Sequence, residues 1–230
     1  MQETELGFLD GMVRRSVDGI VMFSFAIEEE DLTRVVPSHT PLVVATGHLP
    51  TSHDRIGTDD AGGAEAATRH LLAQGITEIA FVSGPSAIGP GDRRLAGFIR
   101  AMQDAGLVPA EADILRADYT VAEGRKAVGE LLGRRRPPRA VVCANDLIAI
   151  GALDAAQAAG VRVPTELAVT GFDDIDAASL VAPQLTTVVN PAYEFGRQSG
   201  QLLLDRLLGT HDGPPRTVIV PTRLIVRASA

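Results

Sequence analysis

The chain has 230 residues, 45% hydrophobic and 22% charged, with one cysteine and no tryptophan. This length fits one large domain or two small lobes with a substantial core, and the single Cys143 excludes an internal disulfide or a cysteine zinc site. A net charge of -8 repels phosphate backbones instead of collecting them, so the chain by itself is not expected to bind DNA.

Residues 6–15 have the pattern of a helix that packs on a sheet, leading through Val17-Asp18-Gly19 into a strand at 19–25. No strand precedes that helix, so the pattern opens in the middle of an α/β unit. A helix at 29–36, a strand at 41–46 and a helix at 64–74 ended by Gly75 follow. From Ile76 onward, short apolar runs alternate with segments of helical periodicity, the order that builds a parallel sheet covered by helices. The strands are 79–83, 140–144 and 167–172. Between and after them lie helices at 92–105, where Leu95, Phe98, Ile99 and Met102 form one stripe, at 121–133, and at 146–159, stopped by Gly160. A short run at Ile114-Leu115 leads to Tyr119. The chain finishes with a strand or crossover at 187–190, a helix at 193–208 and an extended segment at 218–226 broken by Pro221.

No stretch approaches the roughly 20 consecutive apolar residues of a membrane span, and the opening Met1-Gln2-Glu3 lacks the basic-then-apolar order of a secretory signal; a cytoplasmic protein is expected. Lys126 is the only lysine, so no phosphate-binding loop ending in Gly-Lys-Ser/Thr exists. Nucleophile-elbow, zinc-protease, dinucleotide-binding and paired-cysteine motifs are equally absent. Five scattered histidines without helical pairing make no metal site, Cys143 reads as a structural thiol within an apolar strand, and no cofactor is expected.

In an open parallel sheet, ligands bind beyond the carboxyl ends of the strands. The residues there are Asn145 and Asp146 after the second strong strand, Asp173 and Asp174 after the third, and Arg93 and Arg94 beyond the glycine-rich loop that follows the first. With Tyr119 they supply amide, carboxylate, guanidinium and aromatic surfaces, the set needed to hold a polyhydroxylated ring. Plainer roles exist for each. Asn145 or Asp146 can cap the following helix, Asp173 and Asp174 can cap a short helix at 175–180, and Tyr119 can be a packed aromatic. Two arginines at a helix start oppose its dipole, which points to a carboxylate or anion close by.

The strand-end motifs carry a resemblance. Residues 144–153, opening Ala144-Asn145-Asp146, then Gly160-Val161-Arg162-Val163-Pro164, Val169-Thr170-Gly171-Phe172-Asp173-Asp174 and Pro183-Gln184-Leu185-Thr186-Thr187-Val188 resemble, in order and spacing, the LacI/GalR family of bacterial transcription repressors. Arg94-Leu95-Ala96-Gly97-Phe98, Asp59-Asp60-Ala61-Gly62-Gly63 and the segment 221–227 extend the likeness over nearly the whole chain. The resemblance implies an α/β fold of periplasmic-binding-protein type I: two Rossmann-like lobes, three crossovers, and a small-molecule effector in the cleft. It implies a first lobe of residues 1–60 and 191–221 and a second of 61–190 and 222–230. It further implies that the family's helix-turn-helix domain, together with the first strand, first helix and second strand of the first lobe, is missing in front of Met1.

Carried over residue by residue, the family's effector contacts fall on Arg94, Asn145 and Asp173, with Tyr119 as a stacking aromatic, Asn190 at the second crossover and His48 as a polar contact from the first lobe. Asp59-Asp60 departs from the Asp-Asn usual in the family, near the first crossover. The implied partners are a sugar or sugar derivative, less favourably a purine, with operator DNA reached only through the helix-turn-helix domain and a second copy of the chain in a homodimer. Two other functions compete: a solute-binding protein of a sugar transport system, and a small α/β enzyme using Asp173 and Arg94 as acid and base.

Overall fold

A computed structural model describes residues 2–14, 17–24, 27, 29–45, 52–85 and 89–230. In chain order the elements are α1 (Gln2–Arg14), β1 (Ile20–Met22), α2 (Glu29–Val35), β2 (Leu42–Val44), β3 (Asp54–Thr58), α3 (Asp60–Ala73), β4 (Ile79–Ser83), α4 (Pro90–Asp104), β5 (Ile114–Arg116), α5 (Val121–Leu132), β6 (Ala140–Cys143), α6 (Asp146–Ala158), β7 (Ala168–Asp173), α7 (Asp176–Leu180), β8 (Thr186–Val189), α8 (Ala192–Leu207), β9 (Thr217–Val220) and β10 (Arg223–Ile225). They form two compact units, one of Met1–Asp59 with Pro191–Pro221 and the other of Asp60–Asn190 with Thr222–Ala230.

The first unit is built on a four-stranded parallel sheet in the order β1-β2-β3-β9. Side chains alternate across a strand, and residues 42–45 show the result. Leu42 and Val44 join Leu9, Ile20 and Leu32 on the face covered by α1 and α2, whereas Val43 and Ala45 join Ile56, Leu202 and Val220 on the face covered by α8. A strand buried on both faces reads as a continuous apolar run. Among the described residues β1 is an edge strand, and Val21 and Phe23 beside it are exposed.

The central strand β3 departs from the sequence expectation, which placed the first crossover near Asp59-Asp60 and no strand between 46 and 79. Its first residue, Asp54, is buried at 2% exposure and accepts hydrogen bonds from Arg206 Nε and Nη2 at 3.1 and 2.8 Å and from the Arg216 amide and Nη2, both at 2.7 Å. Paired with two arginines, the carboxylate can begin a central strand although hydropathy marks the segment as polar.

The second unit holds a six-stranded sheet in the order β10-β8-β7-β6-β4-β5, parallel except for β10. Its core includes Phe81, Phe98, Leu131, Ile148, Leu167 and Leu185, with the rings of Phe81 and Phe98 5.2 Å apart. Residues 218–226, one extended segment broken by Pro221 in the sequence reading, become two strands in different sheets: β9 in the first unit and β10 in the second. The helix expected at 64–74 begins four residues earlier, at Asp60. That extension matters for the site, because α4 crosses the start of α3 with Gly97 so close that a Cβ there would lie 2.0 Å from the Ala61 carbonyl oxygen. Backbone contact of this kind brings the arginines of α4 onto Asp60.

Candidate ligand-binding site

The carboxyl ends of β4, β6, β7 and β8 carry the polar residues singled out from the sequence. Arg94, in the second turn of α4, is only 4% exposed. Its guanidinium donates from Nε to Asp60 Oδ1 at 2.9 Å, from Nη1 to the Ala144 carbonyl at 2.6 Å and from Nη2 to Asp173 Oδ1 at 3.4 Å, and it lies 3.6 Å above the centre of the Phe172 ring. Arg93 donates to the other oxygen of Asp60 from Nε and Nη2, at 2.9 and 2.7 Å. The carboxylate that two arginines at a helix start call for is therefore Asp60, buried at 2% exposure as the first residue of α3. A buried guanidinium needs such a partner, since the desolvation penalty of an unpaired charge is several kcal/mol.

Asp173 ends β7 and is presented by an unusual turn. It and Asp174 have φ of 109° and 53°, the left-handed region that non-glycine residues avoid. Asp173 Oδ1 also accepts from Asn190 Nδ2 at 3.2 Å, so Arg94, Asp173 and Asn190 form one hydrogen-bonded chain. Burial pushes the Asp173 carboxyl above its ordinary range, against the pull of the Arg94 charge and the Asn190 hydrogen bond. Asp174 is held separately by Arg227 Nη2 at 2.7 Å. Neither aspartate takes the plainer role open to it in the sequence, a cap on the short helix α7: the capping position is Ile175, without a side-chain cap bond, and Asp173 and Asp174 lie in the left-handed turn before it.

The other expected residues take different places. Asn145 caps α6, its Oδ1 accepting from the Ile148 amide at 2.9 Å, one residue after the Ala144 carbonyl that receives Arg94. Tyr119 is half-buried against the loop after β4. A Cβ at Gly84 would come within 2.1 Å of its ring carbon Cζ and its hydroxyl, so glycine makes room for the ring. Burial pushes its phenol up, while the positive charge of Arg94 pulls it down. His48 lies outside the described residues.

Asp60, Phe172 and Asp146 belong to this cluster, yet sequence reasoning gave them lesser parts. Asp60 was visible only as a departure from a family pair. Phe172 was one letter of a motif, and Asp146 was named beside Asn145 at the strand end and as an alternative cap. Asp146 is fully buried, accepting from Thr187 Oγ1 at 2.5 Å and the Ile175 amide at 2.9 Å, and burial pushes its carboxyl up to about 6. Cys143, buried at the end of β6, has its thiol pushed strongly up by burial, in keeping with a structural role. Among the described residues no group of three His, Cys, Asp or Glu side chains is placed to hold a metal ion, and no helix is long and apolar enough to cross a membrane.

A separate polar depression of about 380 Å³ lies in the first unit, at the amino ends of β2 and β3, lined in part by His39, His53 and His211. Arg206 on its wall is engaged by Asp54 and by the carbonyls of His211, Gly213 and Pro214. It sits at the opposite strand ends from those where open α/β sheets bind ligands.

The sequence and fold match those of known regulators. Residues 68–230 match the family model of the periplasmic binding protein-like domain. The chain is 34% identical to the HTH-type transcriptional repressor CytR of Escherichia coli K12 and 33% identical to the HTH-type transcriptional repressor PurR of Escherichia fergusonii. Each alignment covers 99% of this chain and 67% of the relative. Among solved structures, a complex of the transcriptional regulator CelR with cellobiose superposes with a TM-score of 0.87 at 31% identity, over 100% of this chain and 70% of that one. A sugar-binding regulator of the LacI family from Escherichia coli, complexed with phosphate, gives 0.90 at 29% identity, covering 100% and 82%. These relatives are regulators of transcription, and they lend no support to a transport role. Identical to two repressors at about a third of its positions across 99% of its length, and built on the same fold as LacI-family regulators, the chain belongs to the LacI family of transcriptional repressors.

Proposed function

We propose that the chain is the effector-binding part of a LacI-type regulator, in which a small uncharged polyhydroxylated molecule is recognised by Arg94, Asp173 and Asn190, with Asn145, Tyr119 and His48 as further contacts. The observation that carries this reading is the hydrogen-bonded chain from Arg94 through Asp173 to Asn190 at the carboxyl ends of the sheet. Asp173 is a carboxylate with 30% of its side chain exposed, able to accept from hydroxyl or N–H donors.

Charge balance favours a neutral ligand. Arg93 and Arg94 face Asp60 and Asp173, and Arg227 faces Asp174. Every guanidinium in the cluster already has a carboxylate partner, which leaves no surplus positive charge for a phosphate or carboxylate. Sugars fit this best, and a purine fits less well. The two units of the chain correspond in this reading to the two lobes of the periplasmic-binding-protein fold. Operator DNA is the partner of a helix-turn-helix domain such as gives CytR and PurR their HTH-type designation, in an intact cytoplasmic homodimer. The effector acts by population shift, binding one arrangement of the regulator more tightly than another, with a coupling of about 1–3 kcal/mol.

A thermal-shift screen of neutral sugars, sugar phosphates and nucleobases tests the proposal, because a ligand at 100 times its Kd stabilises the folded state by about 2.7 kcal/mol. A neutral sugar is expected to raise Tm, its phosphate ester to do so weakly, and Asp173→Ala to abolish the rise. An unchanged rise in Asp173→Ala places the binding site elsewhere.

A further inference from the structure

We propose that Asp146 is the positioning residue for the Asp173 carboxylate: a buried clamp that fixes the left-handed turn presenting Asp173 and ties it to β8. The inference rests on the reading of Asp173 as a ligand contact, but its structural core is independent of any ligand. An acidic residue at the start of a helix ordinarily serves that helix, as a cap or through the dipole. Here Asn145 already caps α6, and the Asp146 side chain turns to two other elements. One oxygen accepts from the amide of Ile175, the residue immediately after the Asp173-Asp174 turn, at 2.9 Å. The other accepts from the hydroxyl of Thr187 on β8 at 2.5 Å. Thr187 stands opposite Gly171 in the β7–β8 register, so a single carboxylate bonds to both chains that frame Asp173.

Two further observations point the same way. Gly171 leaves the space the carboxylate occupies, since a Cβ there would lie 2.2 Å from Asp146 Oδ1. The turn itself is strained, with two consecutive non-glycine residues at positive φ. Such geometry persists only where its surroundings over-determine it. Arg227 restrains Asp174, Arg94 and Asn190 hold the tip of Asp173, and Asp146 holds the exit of the turn at Ile175. Without that last restraint the turn can relax toward ordinary φ, which carries the Asp173 carboxylate away from Arg94 and Asn190.

Hydrogen exchange on the full chain tests the clamp without a ligand. In Asp146→Asn, amides in segments 172–176 and 186–190 are expected to exchange about 10-fold faster or more, while β4 and α3 exchange as in the wild type. Thr187→Val, which removes one of the two bonds at constant volume, is expected to show the same pattern more weakly, and it decides the matter if Asp146→Asn does not fold. Unchanged exchange at 172–176, or an equal rise throughout the unit, overturns the proposal. Calorimetry with cellobiose and D-ribose as probes separates this idea from the reading beneath it. Asp146→Asn is expected to weaken binding about 5-fold or more when Asp173 is present and to add nothing in an Asp173→Ala background. Additive losses overturn the positioning role. An Asp173→Ala variant that binds both probes like the wild type overturns the ligand reading, and the exchange pattern then decides the clamp by itself.

Discussion

Replacing Arg94 by alanine removes the side chain on which the strand-end cluster converges. The change deletes a charge-assisted bond to Asp60, the donor at the Ala144 carbonyl, the longer bond to Asp173 and the guanidinium over Phe172. Breaking a buried ion pair from one side costs about 3–5 kcal/mol, because the remaining charge stays buried. Asp60 keeps Arg93 and Asp173 keeps Asn190, which places the loss toward the lower end, while the cation–π contact adds up to about 1 kcal/mol at a partly desolvated site. The expected destabilisation is about 3–4 kcal/mol, which in a chain of this size lowers Tm by about 6–16 °C. Urea denaturation followed by far-UV circular dichroism measures it. Arg94→Lys keeps the charge, but a single ammonium cannot reach Asp60, Ala144 and Asp173 in the same fork, so it is expected to recover less than half of the loss. A loss below about 1 kcal/mol for Arg94→Ala would refute the claim that the buried pairing with Asp60 organises the site.

Other expectations follow from single groups. The Asp146 carboxyl is raised from 3.8 to about 6, so the folded state holds its proton more tightly than the unfolded chain, and the associated stability is lost as pH rises through about 6. Denaturation of the wild type and Asp146→Asn at pH 5 and pH 7.5 is therefore expected to show a wild-type advantage about 1.4 kcal/mol larger at pH 5; an equal or smaller advantage contradicts the assignment. Asp54 shifts in the opposite direction, held well below its ordinary value by the hydrogen bonds of Arg206 and Arg216. Its contribution is present above about pH 4 and falls away in more acidic solution, so Asp54→Asn is expected to flatten the acid limb of the stability profile. Gly171→Ala forces a methyl against the Asp146 carboxylate and is expected to cost about 1–3 kcal/mol, measurable as a lower urea midpoint. Cys143 is expected to react with a thiol-specific disulfide reagent only as fast as its unit unfolds; rapid labelling of the native protein would contradict its burial.

The segments that the sequence marks most clearly are β4, β6 and β7. They are central parallel strands buried on both faces, and such strands must be short unbroken apolar runs bounded by turns. The helices between them announce themselves through one apolar stripe each. β3 escapes this logic because its leading residue is a buried aspartate whose partners, Arg206 and Arg216, are 152 and 162 positions away. No local window contains the compensation that makes Asp54 tolerable in a core. The same limit applies at the site: the identities of Arg94, Asn145, Asp173 and Asn190 at strand ends are legible, while their pairing is not.

What the sequence determined by itself is therefore the order of strands and helices apart from β3 and the division of β9 from β10, and the chemistry available at the carboxyl ends, because periodicity and turn residues act over a few positions. What only the tertiary structure decided is the partner of each polar group. Arg94 divides its guanidinium among Asp60, the Ala144 carbonyl and Asp173, Asn145 rather than Asp146 caps α6, and Asp146 bonds across to Ile175 and Thr187. Those partners lie between 29 and 41 positions apart for Asp146 and 34 positions apart for Arg94 and Asp60. Buried charges are stabilised by whichever opposite group the fold carries to within about 3 Å, and that proximity is a property of how the sheet and helices pack.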